Sequence, residues 1–251
     1  MHPVLEVPIE NLDGAIASLP FADRLEVCDD LSTEGWTPTV ELVCGVRGAL
    51  DGSGRPGARL VAMIRPRVPG AVVAPVLEAF LASPAVVDAC HREIDAMAQA
   101  GAHDVAIGLL RPDASIDLEA MERLSGAARA AGLGVAFLRT VDLVRDRDRA
   151  MRDLVELGME RVVTAGVFGW DASVATIGSR VDRLLLDAAA ADAHAAARGV
   201  RSVTIVPGGG VRSGNAREFM RVSCDLHSSC RVGGAIDADE ARALRAVLDG
   251  Q

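Results

Sequence analysis

No lysine and no tyrosine occur in the 251 residues, so all 26 basic side chains are arginines. Schiff-base aldolases and pyridoxal enzymes work through a lysine amine, and those chemistries are excluded unless the chain terminus supplies one. Tyrosine-based proton transfer is excluded as well, which leaves Asp, Glu, His and Cys for acid–base work. Aromatic residues make up only 3% of the chain, and the net charge of −9 comes with no basic stripe. Nucleic acid calls for clustered cations and stacking rings, so no nucleic-acid partner is expected. Cys28, Cys44, Cys90, Cys224 and Cys230 are odd in number and lack CxxC spacing. Reduced thiols are therefore expected, and neither a zinc site nor a disulfide framework. No apolar run reaches membrane-spanning length, and Met1-His2-Pro3-Val4 opens no signal-peptide pattern. These absences predict a cytoplasmic protein with no membrane partner.

What the chain does contain is a large apolar fraction, 50%, with Pro and Gly not gathered into any linker. One domain spanning 1–251 is the expectation. Short β-branched runs predict strands at Val4–Pro8, Arg24–Cys28, Leu60–Arg65, Asp104–Ile107, Leu133–Arg139, Arg161–Thr164, Val203–Pro207 and Cys224–Ser228. Helical patterns fall between them at Asn11–Leu19, Thr39–Leu50, Pro84–Ala100, Asp117–Ala131, Asp146–Leu157, Ala172–Arg198, Asn215–Val222 and Asp237–Leu248. The Ala-rich run Ala188–Ala197 reads as an exposed helix. Repeated βα units in a chain of this length predict an α/β fold, a single (β/α)8 TIM barrel. A doubly wound open sheet is the alternative, but the first βα turn, Glu10-Asn11-Leu12-Asp13-Gly14, lacks a glycine-rich phosphate fingerprint.

Barrel enzymes carry their working groups at strand carboxyl ends. Here those ends hold Glu26 and Cys28, Arg65 and Arg67, Arg139 and Asp142, Thr164, Gly208-Gly209-Gly210 and His227-Ser228-Ser229, with Glu6 inside the first strand. Pro207 ends a β-branched strand, and the three glycines after it let backbone N–H groups converge beside a helix start. With Ser228-Ser229 after the eighth strand, that loop repeats the placement of a barrel phosphate site; the competing reading is a pair of glycine-relaxed turns. Arg65, Arg67 and Arg139 are candidate clamps for an anion. They are equally candidates for an internal salt-bridge network with Glu6, Glu26 and Asp142. His227 is the candidate acid–base group, against a core histidine bonded to a carbonyl. His2, His91, His103 and His194 read as surface residues. Cys28 is the soft-metal candidate, against a small buried thiol, and Met63 is either its thioether partner or core.

Met63-Ile64-Arg65-Pro66-Arg67, Glu26-Val27-Cys28, Gly35-Trp36-Thr37-Pro38-Thr39, Ser115-Ile116-Asp117, Leu157–Gly166, Val206-Pro207-Gly208-Gly209-Gly210 and His227-Ser228-Ser229 occur in one order along nearly the whole chain. In this the sequence resembles the copper homeostasis protein CutC family. The resemblance implies a cytoplasmic TIM barrel, often a homodimer, linked to copper tolerance, with copper(I) held at the position of Cys28. Where the family carries a first-strand cysteine this chain has Pro8, and where it carries Phe-His-Arg this chain has Phe137-Leu138-Arg139. Three functions stay open. The first is copper(I) handling through Cys28, with an anion-binding barrel mouth. The second is a lysine-independent isomerase, epimerase or lyase on a small phosphorylated or carboxylated metabolite. In that case Glu26, Arg65, Arg139, Asp142 and His227 would do the chemistry, and Arg67, Gly208, Gly209, Gly210, Ser228 and Ser229 would bind the anion. The third is a non-catalytic relative.

Overall fold

A computed structural model describes residues 3–250. His2 lies outside the described residues. Eight strands alternate with eight helices: β1 (Val4–Ile9), α1 (Leu12–Ser18), β2 (Arg24–Val27), α2 (Val40–Gly52), β3 (Arg59–Met63), α3 (Pro84–Gln99), β4 (Asp104–Ile107), α4 (Leu118–Ala130), β5 (Gly134–Phe137), α5 (Arg147–Glu156), β6 (Arg161–Thr164), α6 (Ile177–Arg198), β7 (Thr204–Pro207), α7 (Ala216–Phe219), β8 (Asp225–His227) and α8 (Ala238–Leu248). A small hairpin, β9 (Arg231–Val232) and β10 (Ala235–Ile236), precedes α8. The eight strands form one parallel sheet in the order β7-β6-β5-β4-β3-β2-β1-β8. β7 and β8 pack together without forming a ladder, so the TIM barrel is nearly closed. Among the described residues no helix is long and apolar enough to cross a membrane.

Local chemistry sets the helix starts. Asn11, Thr39, Ser83, Asp117, Asp146, Thr176 and Asp237 each accept a hydrogen bond from an N–H of the first turn. A cap of this kind is worth about 1 kcal/mol. The expected helix from Ala172 is instead a 3-10 turn over Ala172–Val174, and α6 begins only after Thr176. α7 lacks a side-chain cap and spans only Ala216–Phe219, shorter than the pattern suggested. The alanine run is not wholly exposed either, since Ala191 and Ala195 are buried as α6 packs on its neighbours.

Strand alternation sorts the barrel. Leu5, Val7 and Ile9 face the helices in the main core, as do Leu25, Val27, Val105, Phe137, Val162 and Ile205. The inward residues divide into two unlike halves. From the end of β2 across the carboxyl-terminal parts of β3, β4 and β5 the interior is apolar: Cys28, Val61, Met63, Ala106, Ala136 and Leu138 form a second cluster against Leu31. Elsewhere it is charged. Parallel register sets Glu6 beside both Arg24 and His227. Glu6 Oε2 lies 2.8 Å from Arg24 Nε and 3.3 Å from Arg161 Nε. Both contacts are ion pairs whose N–H groups do not point along the line to the oxygen. Arg161 continues to Asp104 at 3.8 Å, and Arg24 to Asp225 at 2.9 Å. Gly134 leaves room for this layer, because a Cβ there would lie 2.2 Å from Asp104 Oδ1.

Glu6, Asp104 and Arg161 are all buried, so removing one partner strands the others in low dielectric. Arg161→Leu is therefore expected to destabilise the fold by about 3–5 kcal/mol, read from urea unfolding midpoints. A loss under about 1 kcal/mol would mean that this layer is hydrated and contributes little.

Candidate functional site

A cavity of about 340 Å³ opens at the carboxyl ends of the strands. Every strand of the barrel except β4 supplies or leads into its lining. Glu26, Arg139, Gly209, Gly210, His227 and Ser229 all border it, as the strand ends predicted. Leu31, Met63, Phe80 and Leu138 form the opposing wall. A shallower groove of about 740 Å³ continues outward past Arg139, Trp170 and Gly209-Gly210.

His227 is the pivot of the charged side. Its Nδ1 lies 3.0 Å from Glu6 Oε1, and its Nε2 is 3.9 Å from Glu26 Oε2. Burial alone would raise the Glu6 carboxyl, but Arg24, Arg161 and the His227 hydrogen bond outweigh it and hold Glu6 far below the usual carboxylate range. An ionised Glu6 only accepts, so Nδ1 donates to it and Nε2 turns to Glu26 and the cavity. Burial works against charge on His227, yet the bond to Glu6 and the nearby Glu26 raise its pKa. Burial likewise pushes the Glu26 carboxyl up, partly offset by His227. A carboxyl and an imidazole, both with raised pKa, thus face one cavity and can exchange a proton with whatever lies there.

The glycine loop is shaped from behind. Arg180, on α6, donates through Nη2 to the carbonyls of Gly208 and Gly209, both at 2.7 Å, and through Nε to Ala165 O. A trans peptide sets its N–H opposite its C=O. The N–H groups of Gly209 and Gly210 therefore point away from Arg180, and no bond within the described residues uses them. Gly209 has φ +70, and a Cβ there would lie 2.8 Å from Ala165 Cβ, so only glycine fits. Arg139 stands beside it, with Nε to Asp142 at 3.2 Å and Nη2 to Trp170 O at 2.9 Å.

Several expected site residues sit elsewhere or are committed elsewhere. Arg65 borders the cavity but clamps no carboxylate. Its guanidinium donates to the carbonyls of Thr33, Gly35, Val72 and Val73 between the rings of Trp36 and Phe80. Arg67 is half exposed outside the cavity, paired with Asp29 at 2.6 Å. Asp142 is fully buried behind the wall, bonded to Arg139, Arg147, Thr164 and the Ala165 N–H, because each of its oxygens is already filled. Gly208 spends its N–H on Thr164 O, continuing the ladder. Ser228 is buried and donates to Val211 O. Cys28 is buried too, its thiol donating to Ile9 O at 3.4 Å and pushed well above its usual pKa by burial and then by Glu26. Of the expected network of Arg65, Arg67 and Arg139 with Glu6, Glu26 and Asp142, only the Arg139–Asp142 pair forms, and Glu6 is met instead by Arg24 and Arg161. Their strand positions, inward by alternation, were the available signal. His103 is no free surface residue, since its Nδ1 accepts from Leu60 N at 2.9 Å. Arg180 and Trp170 carried no sequence signal, as a helix and a loop bring them in from outside the strand ends.

One continuous stack spans the mouth. Arg67 and Arg65 lie over Trp36, Arg65 over Phe80, Phe80 on Trp170 at 5.7 Å, and Arg139 over Trp170 at 4.6 Å. It ties the loops after β2, β3, β5 and β6 together.

The family model for the CutC family matches residues 4–232. A CutC family protein of Sinorhizobium medicae (strain WSM419) is 31% identical over 267 aligned positions, covering 98% of this chain and 96% of that protein. Another, from Histophilus somni (strain 2336), is 34% identical over 231 positions, 91% of this chain and 82% of the relative. The solved CutC structure from Streptococcus agalactiae superposes with a TM-score of 0.73 at 21% identity, covering 90% of this chain and 98% of that one. A 3-hexulose-6-phosphate synthase superposes at 0.62 with 16% identity over 98% and 99% of the two chains. At these identities the structural likenesses speak to the fold alone.

Raised values on His227 and Glu26 mean that the folded protein binds more protons than the unfolded chain between the ordinary carboxylate range and the raised imidazole value. Stability therefore falls as pH rises through that window. Glu6 acts oppositely: its contribution is present above the ordinary carboxylate value and is lost as pH falls toward its lowered one. Glu6→Gln should lower the pH at which the His227 ring titrates by NMR and flatten the neutral-side loss of stability. An unmoved His227 titration would show that Glu6 does not set its charge.

Proposed function

This chain belongs to the CutC family, and we propose that its barrel mouth binds a small anionic metabolite on which Glu26 and His227 move a proton. The observation that carries this is the pair itself. His227 Nε2 and Glu26 Oε2 stand 3.9 Å apart in the cavity, with Glu6 fixing the ring from behind. Gly209 and Gly210, whose N–H groups are unused within the described residues, border the same cavity with Ser229 and Arg139, and the set suits an oxyanion. An anion held there fixes the rest of the molecule over the pair, which is the positional part of catalysis. His227 donates from Nε2 to a carbonyl oxygen while Glu26, when ionised, takes the proton from the adjacent carbon. Isomerisation, epimerisation and retro-aldol cleavage all begin with this kind of polarisation, and none requires a lysine.

Copper(I) enters through the family: the Streptococcus agalactiae relative bears the name of a copper homeostasis protein. The donors here do not fit that ion. Cys28 is a buried, protonated thiol, Pro8 adds no ligand, and the described residues contain no cluster of three or more His, Cys, Asp or Glu suited to a metal. A soft metal needs several thiolate or thioether donors it can reach, and Met63 is a single thioether on the cavity wall.

Two experiments test these statements. Inorganic phosphate and small carboxylates are expected to raise the melting temperature, and a ligand at 100 times its Kd adds about 2.7 kcal/mol. Glu26→Gln and His227→Asn should keep that shift but lose solvent-deuterium incorporation into a bound phosphorylated ketone. No shift with any anion rejects the reading. In copper(I) titrations of the reduced protein, Cys28→Ser is expected to match the wild type, with weak binding by both; tight binding lost in the variant would restore the copper role.

A further inference from the structure

The two halves of the barrel interior meet in the cavity, and its walls inherit their difference. On the β7, β8 and β1 side stand the polar groups: Gly209, Gly210, Ser229, His227 and, from β2, Glu26. Facing them are Leu31, Met63, Phe80 and Leu138, continuous with the buried cluster of Val61, Ala106 and Ala136 below. Exposed Glu34 stands at the outer edge of the cavity, where the groove begins, and Leu31, Met63, Phe80 and Leu138 give the wall itself no donor or acceptor. Arg65, the one cation within it, has its terminal nitrogens on four backbone carbonyls. A ligand hydroxyl turned to this wall would lose water and gain no partner, which is costly. A methylene there gains its full transfer energy.

Building on the anion-binding reading, we infer that the ligand of this cavity is a phosphate or carboxylate on a hydrocarbon body, not a polyhydroxylated sugar phosphate. Leu31, Met63 and Leu138 select it. The anionic head rests on the glycine loop, Glu26 and His227 reach its polar edge, and the hydrocarbon lies along the apolar wall.

The test uses two homologous series on the intact protein, methyl to butyl phosphate and acetate to pentanoate, with inorganic phosphate and glycerol phosphate as references. Calorimetry is expected to show binding tightening about fourfold per added methylene in one or both series. The series that does so identifies the head group. Glycerol phosphate should bind no tighter than inorganic phosphate. Leu31→Ser, at a half-buried position, and Leu138→Asn should flatten the increment and leave inorganic phosphate unchanged. Leu31→Ser alone suffices if the second variant does not fold. Flat series, glycerol phosphate binding tighter than propyl phosphate, or increments that survive the substitutions overturn the inference, and anion binding itself stands. Absence of binding by every anion overturns both.

Discussion

A single buried carboxylate holds the charged half of this barrel together. Glu6 receives Arg24 from β2, Arg161 from β6 and His227 from β8, so three other strands converge on one side chain of β1. Burial at 1% exposure would ordinarily drive such a group neutral. Two guanidiniums prevent that. The ionised state then dictates which histidine nitrogen carries a proton to the cavity, and so what the site can do.

The rest of the mouth follows from what a guanidinium can do that an ammonium cannot. Its planar fork binds several acceptors in fixed directions and stacks on rings. Arg65 gathers four carbonyls from two loops, and Arg180 pins three more. Lysine could satisfy neither pattern, and this chain has none. The arginine and aromatic stack across the mouth uses both tryptophans of a chain that is poor in rings. Rigid loops result, and with them a preformed cavity. Only Arg139 among the predicted clamps keeps its head beside the glycine loop.

Membership of the CutC family fixes the fold and a name linked to copper, while the residues facing the cavity argue for a different chemistry. The apparent conflict is one of position. Cys28 sits one alternation step beyond Glu26 on the same inward face, but packing against Met63 and Leu138 closes over it and burial keeps its proton on. Glu26, on that same face, remains open to the cavity. Neighbouring side chains of one strand have been given opposite fates by the wall they meet.

Much was legible from the chain alone. β-branched runs and helical periodicity located all eight strands and helices to within about three positions, the start of α6 excepted, because those signals are local. The strand-end rule brought Glu26, Arg139, Gly209, Gly210, His227 and Ser229 to one place, since a parallel barrel delivers every strand end to one face. Which end-residues face the cavity was not legible. Arg65, Asp142 and Ser228 occupy strand ends as well, yet loop carbonyls, Arg147 and Val211 O claim them. Arg180 and the division of the interior into charged and apolar halves depend on contacts between segments far apart in the chain. Local pattern determined the barrel and its rim; which partner reached each polar group first, settled only on closure, decided which of them remained free for chemistry.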